Sequence, residues 1–283
     1  SDLDCDVALE RGHGHALAFL TIPLVDDDWE ISQGMTMPAL YAMRARRYMH
    51  EFGATVEQLA KVSVKARSHG ARNPDAQFQK SVTVEEVLGS RPIADPLTLL
   101  QCCPTGDGAA AAIICASDVA GRFEAEPVKI LASELCSGKF TNGFRDMTSM
   151  EIAVRGAGIA YEQAGLGPDD IDVAEVHDAF SIAELLYYEA FGFCERGEAV
   201  QLLESGETTI GGQIVVNPSG GLLAKGHPIG GTGVAQVVEI VRQLRGHCGD
   251  RQVEGAKVGL THATGGGAMG MDSGACSIHI FAR

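Results

Sequence analysis

The chain has no surplus of positive charge. Among its 283 residues, 22 Lys and Arg stand against 37 Asp and Glu, a net charge of −15. That excludes nonspecific nucleic-acid binding, which needs clustered cations for phosphate contacts. An anionic ligand held by a local basic patch stays compatible with it. No apolar run approaches the roughly 20 residues a membrane helix needs, and nothing resembles a secretory signal. The eight cysteines (5, 102, 103, 115, 136, 194, 248, 276) include no Cys-x-x-Cys pair, so the zinc signature is missing and no metal site is expected. Several lie in apolar runs, Cys115 in AAAAIICA for example, where a small buried hydrophobe is the expected role. Together these absences point to a reducing cytoplasm, with neither membrane nor nucleic acid as partner.

What is present is apolar bulk and glycine. Hydrophobic residues make up 45% of the chain, enough for a substantial core in one large or two ordinary domains. The 35 glycines fall in clusters rather than in a repeat, which suggests ligand-contacting turns. The densest cluster is residues 215–233, VVNPSGGLLAKGHPIGGTG, which carries His227. Apolar residues at helical spacing follow it, from Val234 to Leu244. His227 is therefore expected in a glycine-rich turn feeding a helix N-terminus, where amides and dipole favour negative charge. There it could move protons near neutral pH, or simply be a solvated turn residue.

The chain opens abruptly. Residues 1–9 read as a short strand and 10–15 (ERGHGH) as a flexible loop, which suggests a native protein that extends further at its N-terminus. Residues 16–34 read as a loop with apolar anchors. The spacing predicts helices over 35–52, 55–73 (with a capping box at Thr55 and Gln58) and 82–88, then an extended stretch at 91–97. Arg44, Arg46 and Arg47 would give the first helix a basic stripe, either solvated or facing an anion. Adjacent Cys102 and Cys103 invite a nucleophile reading, but Pro104 disfavours a helix start there, so structural roles are preferred. Residues 109–115 read as a core strand and 128–136 as another. A helix over 145–164 follows, with Gly156 and Gly158 marking close packing, then a turn and a strand at 172–176. This strand–helix–strand rhythm predicts a layered α/β fold.

Directly after that strand come His177 and Asp178, then a helix apolar nearly all round. Open α/β folds place their chemistry on such loops. One of the pair would point into the site while the other braces the loop. The last glycine-rich element, 259–270 (GLTHATGGGAMG), carries His262. Three histidines, 177, 227 and 262, thus each follow a predicted strand, which predicts one shared active site.

The motifs HDAFSIAELLYYEAFGF, NPSGGLLAKGHPIGGTG and THATGGGA together resemble the thiolase superfamily. The likeness is greatest to the branch of sterol-carrier-protein-2 thiolase and archaeal acetoacetyl-CoA thiolase, and it runs along most of the chain. It implies a five-layered αβαβα fold of two similar halves, with an N-terminal part missing here. Residues 1–125 would be the rest of the first half, including a loop domain at about 16–100 that covers coenzyme A. Residues 126–283 would be the second half. The resemblance further implies an acyltransferase with coenzyme A thioesters as substrates, no other cofactor, and a homodimer or tetramer. His227 would activate a nucleophilic cysteine, and His177 would help build an oxyanion hole. Asp178 and His262 would complete the catalytic set. Ser219, Gly220, Gly226, Gly265, Gly266 and Gly267 would line the coenzyme and the acyl group.

Two departures stand out. The family's acyl-carrying cysteine, in a small-residue loop, has no counterpart here, since Cys5 lies in another setting. The acid/base cysteine is also replaced: the wider superfamily keeps it where Ala263 stands, and the sterol-carrier branch where Ala179 stands. Proton transfer at the α-carbon would fall to His177, His262 or water. Alternative readings are a thiolase-fold retro-aldolase with an OB-fold/zinc-ribbon partner, and a non-catalytic subunit that binds coenzyme A or lipid. The retro-aldolases tend to carry tyrosines where His177 and His227 stand.

Overall fold

The computed structural model describes residues 35–139, 145–266 and 273–283. The readings made for residues 1–34, and Gly267 in the terminal loop, lie outside the described residues. Three helices lead the described chain: α1 (Met37–Phe52), α2 (Val56–Gly70) and α3 (Val84–Leu88). Local chemistry sets their ends. Gly53 closes α1 at φ +73°, a left-handed conformation that glycine adopts without strain. Thr55 with Gln58, and Thr83 with Glu86, form reciprocal capping boxes at the starts of α2 and α3. A small antiparallel pair, β1 (Pro92–Ala94) and β2 (Leu97–Thr98), follows.

The main sheet is built from β3 (Lys129–Ser137), β4 (Val173–Glu175), β5 (Val215–Val216), β6 (Val258–Gly265) and β7 (Ala275–Ala282). Its spatial order is β3-β7-β6-β4-β5, antiparallel from β3 to β6 and parallel from β6 to β5. Helices α4 (Glu151–Ala164) and α5 (Ser181–Ala190) pack on one face. On the other lies α8 (Thr232–Arg245), over a core of Val173, Val215, Ile240, Leu244 and Phe281. Two short helices, α6 (Ala199–Ser205) and α7 (Gly221–Ala224), complete the set. The described residues therefore supply one helix–sheet–helix unit of the layered fold. In α5 every residue except Glu189 is buried, as its largely apolar sequence, broken by Glu184, leads one to expect.

Four expectations need correction. Residues 109–115 form no strand and are largely exposed, with Ile113 66% and Ile114 77% accessible and Cys115 exposed. No described strand pairs with this segment, so neither its backbone nor its side chains join a sheet. The arginines of α1 make no single stripe. Arg44 is buried and donates to the Met147 and Ser149 carbonyls, whereas Arg46 pairs with Asp95 and Arg47 with Glu51. Helix α4 begins at Glu151 rather than at 145, because the Asp146 carboxylate takes the Thr148 amide at 2.9 Å and holds a turn there. Finally, Gly156 does mark close packing, a Cβ there meeting Ile278 at 3.0 Å, but Gly158 faces open space.

Candidate active site

Three acidic side chains on the β4–α5 segment each hold one residue of the 215–224 stretch. Glu175 accepts from the Ser219 amide at 3.0 Å and its hydroxyl at 2.7 Å. Asp178 accepts from the Leu222 amide at 2.7 Å, and Glu184 from the Asn217 side-chain amide at 2.8 Å. All three are fully buried, so two histidine-bearing loops are fastened together inside the protein. Burial pushes the Glu175 carboxyl up to about 7, against the opposing pull of Lys225. It raises Asp178 well above the usual carboxylate range, with the Glu184 charge adding to the effect.

Asn217 is the hinge of this clamp. It is the one described non-glycine residue with a positive φ, +56°, a region that asparagine tolerates better than most residues. Its side-chain oxygen accepts the Val176 amide at 2.8 Å, which fixes the residue just before His177. Lys65, on α2, neutralises Glu184 at 2.8 Å and also donates to the Val216 carbonyl at 2.9 Å. Close approach makes this possible: Gly70 at the end of α2 lies so near Gly220 that a Cβ on Gly220 would meet its Cα at 2.8 Å. A similar constraint holds at Gly221, with φ +59° and the Asp178 carboxylate where a Cβ would go.

These fastenings bring the three histidines together. The rings of His177 and His227 stand edge to face with centroids 5.0 Å apart. The His177 amide points at Nδ1 of His262, 3.4 Å away. Residues 102–105 run across both loops: the Cys103 amide bonds the Ala179 carbonyl at 2.8 Å, and Thr105 bridges to His227.

The tautomer of His227 follows from its surroundings. Nδ1 lies 2.8 Å from the Thr232 hydroxyl, which donates its own proton to the Pro228 carbonyl at 2.9 Å. The hydroxyl can then only accept from Nδ1–H, which leaves the lone pair on Nε2. Burial and then Lys225 lower this ring to about 4, so it is neutral at physiological pH. His177 is held well below the ordinary histidine range by burial, and further by His227, His262 and Lys225. Its Nδ1 has no partner among the described residues.

His262 differs from the expectation. It lies inside β6, not on a loop after it, because β4 and β7 pair with that strand on both sides as far as the Thr261 and Gly265 positions respectively. Its ring is fully buried between Tyr187 at 4.3 Å and Phe191 at 5.1 Å, and burial lowers it to about 3. Nδ1 faces the His177 amide, which makes His262 a brace for that loop.

The residues expected against coenzyme A divide. Ser219 and Gly220 are buried; the amide and hydroxyl of Ser219 go to Glu175 and its carbonyl accepts from the Asn73 side-chain amide at 2.9 Å, which places them in the clamp. Gly226, at φ +107°, lies where a Cβ would come 2.8 Å from the Gln77 side chain. Gly265 ends β6 with open space above it, and Gly266 follows at φ +64°. Burial pushes Cys102 up to about 11 and Cys103 up to about 12, with the Asp178 charge adding to the latter. Neither thiol is set to be an activated nucleophile. A cavity of about 260 Å³ opens between α8 and the sheet, lined by Gly233, Gln236, Thr261 and Ser277 among others, and none of the three histidines lines it. Among the described residues no cluster of three or more His, Cys, Asp or Glu could hold a metal, and no helix could cross a membrane.

Sequence reasoning missed Thr232, Asn217, Glu184 and Lys65. A signal existed for the acids alone, since Glu175 and Glu184 interrupt apolar runs where a charge needs a partner.

Residues 134–276 match the thiolase C-terminal domain-like family. The chain is 50% identical over 259 residues to the acetyl-CoA acetyltransferase of Methanothermobacter thermautotrophicus, covering 91% of this chain and 66% of that protein. It is 45% identical over 239 residues to sterol carrier protein 2 of Oryctolagus cuniculus, covering 82% of this chain and 44% of that one. Among solved structures, the Ltp2-ChsH2(DUF35) aldolase is 32% identical with a TM-score of 0.79, over 90% of this chain and 66% of that one. The chain thus spans about two thirds or less of the relatives it matches. It belongs to the thiolase superfamily, in the branch that holds the archaeal acetyl-CoA acetyltransferases and sterol carrier protein 2.

Proposed function

We propose that the protein is a thiolase-type acyltransferase that forms or cleaves 3-ketoacyl-CoA, acetoacetyl-CoA-like at its reacting end, through an acyl-cysteine intermediate. One observation carries this reading: two neutral histidines 5.0 Å apart, one with Nδ1 tied to Thr232 and Nε2 left as a base. Acyl transfer needs a base, a nucleophile and oxyanion donors converging on one point. In the cleavage direction, Nε2 of His227 takes the proton of a cysteine thiol that these 283 residues do not themselves supply, and the thiolate adds to the 3-oxo carbon. The C2–C3 bond then breaks, leaving an enzyme thioester and the enolate of acetyl-CoA, which takes a proton. His177 donates to the oxygen where charge develops. The proton held on Nε2 passes to that enolate, by way of His177 or water, which frees Nε2 to take the proton of a second coenzyme A; its thiolate removes the acyl group as a thioester, and the released cysteine thiolate recovers a proton from Nε2. With Ala179 and Ala263 unable to carry protons and His262 sealed in the core, proton transfer at the α-carbon falls to His177 or water.

The 50% identity to an acetyl-CoA acetyltransferase supports the substrate class, and a role in lipid metabolism follows from it. We read the protein as cytoplasmic and as a homodimer or tetramer, with coenzyme A as substrate and no further cofactor.

A second reading is a retro-aldolase working with an OB-fold/zinc-ribbon partner, favoured by the likeness to the DUF35-associated aldolase. Incubation of acetoacetyl-CoA with free coenzyme A separates them. Two molecules of acetyl-CoA for each acetoacetyl-CoA consumed is the expected result. Cleavage of a 3-hydroxyacyl-CoA to a carbonyl compound and a shortened acyl-CoA with no coenzyme A added, together with no turnover of acetoacetyl-CoA, would favour a lyase, and binding without turnover of either a carrier subunit.

A further inference from the structure

Lys225 is two residues before His227, at the end of α7. Its backbone is fixed on both sides, the amide donating to the Gly221 carbonyl at 2.8 Å and the carbonyl accepting from the Gln77 amide at 3.1 Å. The ammonium nitrogen is buried and has no hydrogen-bond partner among the described residues. A buried cation without a partner costs several kcal/mol, and proteins rarely keep one unless something completes it.

The obvious partner is already engaged. Both oxygens of Glu175 bond Ser219, and no ion pair within 4.0 Å joins Glu175 to Lys225. Lys225 acts electrostatically on Glu175, His177 and His227, and Glu239 acts on Glu175 from α8. Both histidines are neutral, so the ammonium is the cation of the histidine site. Preorganised positive charge in a place shielded from water stabilises an oxygen anion far more than it could in solution.

We propose that Lys225 is a further catalytic residue: its ammonium receives the negative charge that develops on the acyl oxygen of a coenzyme A thioester held against His177 and His227. This rests on the reading of the site as one for coenzyme A thioesters. The three ammonium protons are donors only, so the complement is an acceptor such as an enolate oxygen, not a neutral donor. Burial first, and Lys225 after it, keep His227 unprotonated, since a second cation beside the ammonium is unfavourable.

Calorimetric titration of the protein with acetoacetyl-CoA and, separately, with free coenzyme A tests this. Lys225→Met should weaken acetoacetyl-CoA about tenfold or more while leaving coenzyme A within about twofold, and Lys225→Arg should retain most of the affinity. The near-ultraviolet band of bound enolate should appear with the wild type and vanish with Lys225→Met. If the methionine variant fails to fold, Lys225→Gln gives the same readout. Equal weakening of both ligands, or no change in either, overturns the assignment and makes Lys225 a structural counter-charge for Glu175. Failure of the wild type to bind either ligand overturns the coenzyme A thioester reading itself.

Discussion

His227 works as a base only because two neighbours settle its proton. Thr232 takes Nδ1–H, and burial with Lys225 keeps the ring neutral down to about pH 4. The acylation rate should therefore hold steady from neutral pH to about pH 5.5, with its acid limb near 4, below the ordinary histidine value of about 6.5. A pH–rate profile of acyl transfer checks this, and an acid limb near 6.5 would count against the assignment. Thr232→Val removes the acceptor for Nδ1–H and frees the ring to carry its proton on Nε2. Acyl transfer should fall about tenfold to a hundredfold, with Thr232→Ser restoring most of it. Nitrogen-detected NMR of the ring should show the altered tautomer. Retained activity with unchanged ring shifts would remove Thr232 from the mechanism.

At the scale of elements, the site depends on how β4–α5 is fastened to the 215–224 stretch. Gly221→Ala places a methyl group on the Asp178 carboxylate and asks alanine to hold φ +59°. It should destabilise the protein by about 2–3 kcal/mol and displace the His177 loop, measured as a fall in urea midpoint together with lost activity. Lys65→Met leaves Glu184 charged and buried without its counter-ion. A loss of about 3–5 kcal/mol is expected by the same measurement, and a change under about 1 kcal/mol would mean Glu184 simply protonates.

These fastenings were hardly legible in the sequence. Periodicity and caps located α1 to α3, α5 and α8, because each has a local signal such as Thr55 with Gln58 or Gly53. Motif spacing and resemblance located His177 and His227. What pairs Glu184 with Lys65, 119 positions apart, is tertiary packing, and no local signal reports it. His262 was misplaced because glycines after it suggested a loop, whereas strands on both sides carry β6 past it. Residues 109–115 failed for the opposite reason. Their apolar sequence suits a strand, but a strand needs an edge to pair with.

For the whole molecule, burial of neutral histidines ties stability to pH. His69 and His262 are both lowered to about 3 by burial, below the value near 6.5 they have when unfolded. The unfolded chain therefore binds protons first, so these contributions are fully present above about pH 6.5 and are lost as pH falls toward 3. Each histidine contributes a slope of up to ~1.4 kcal/mol per pH unit in that window. The raised carboxyls of Glu175 and Asp178 act in the opposite sense in this range, so urea midpoints of the wild type should fall more between pH 7 and 5 than those of His69→Gln, and equal changes would contradict the neutral, buried state of His69.

The central claim is that His227 activates a cysteine that carries the acyl group. Mass spectrometry of the full-length protein after incubation with acetyl-CoA tests it most directly. The account predicts an acetyl adduct on a single cysteine of the wild type and its loss, with the fold intact, in His227→Ala. No adduct on the wild type, or an undiminished one on His227→Ala, would contradict it.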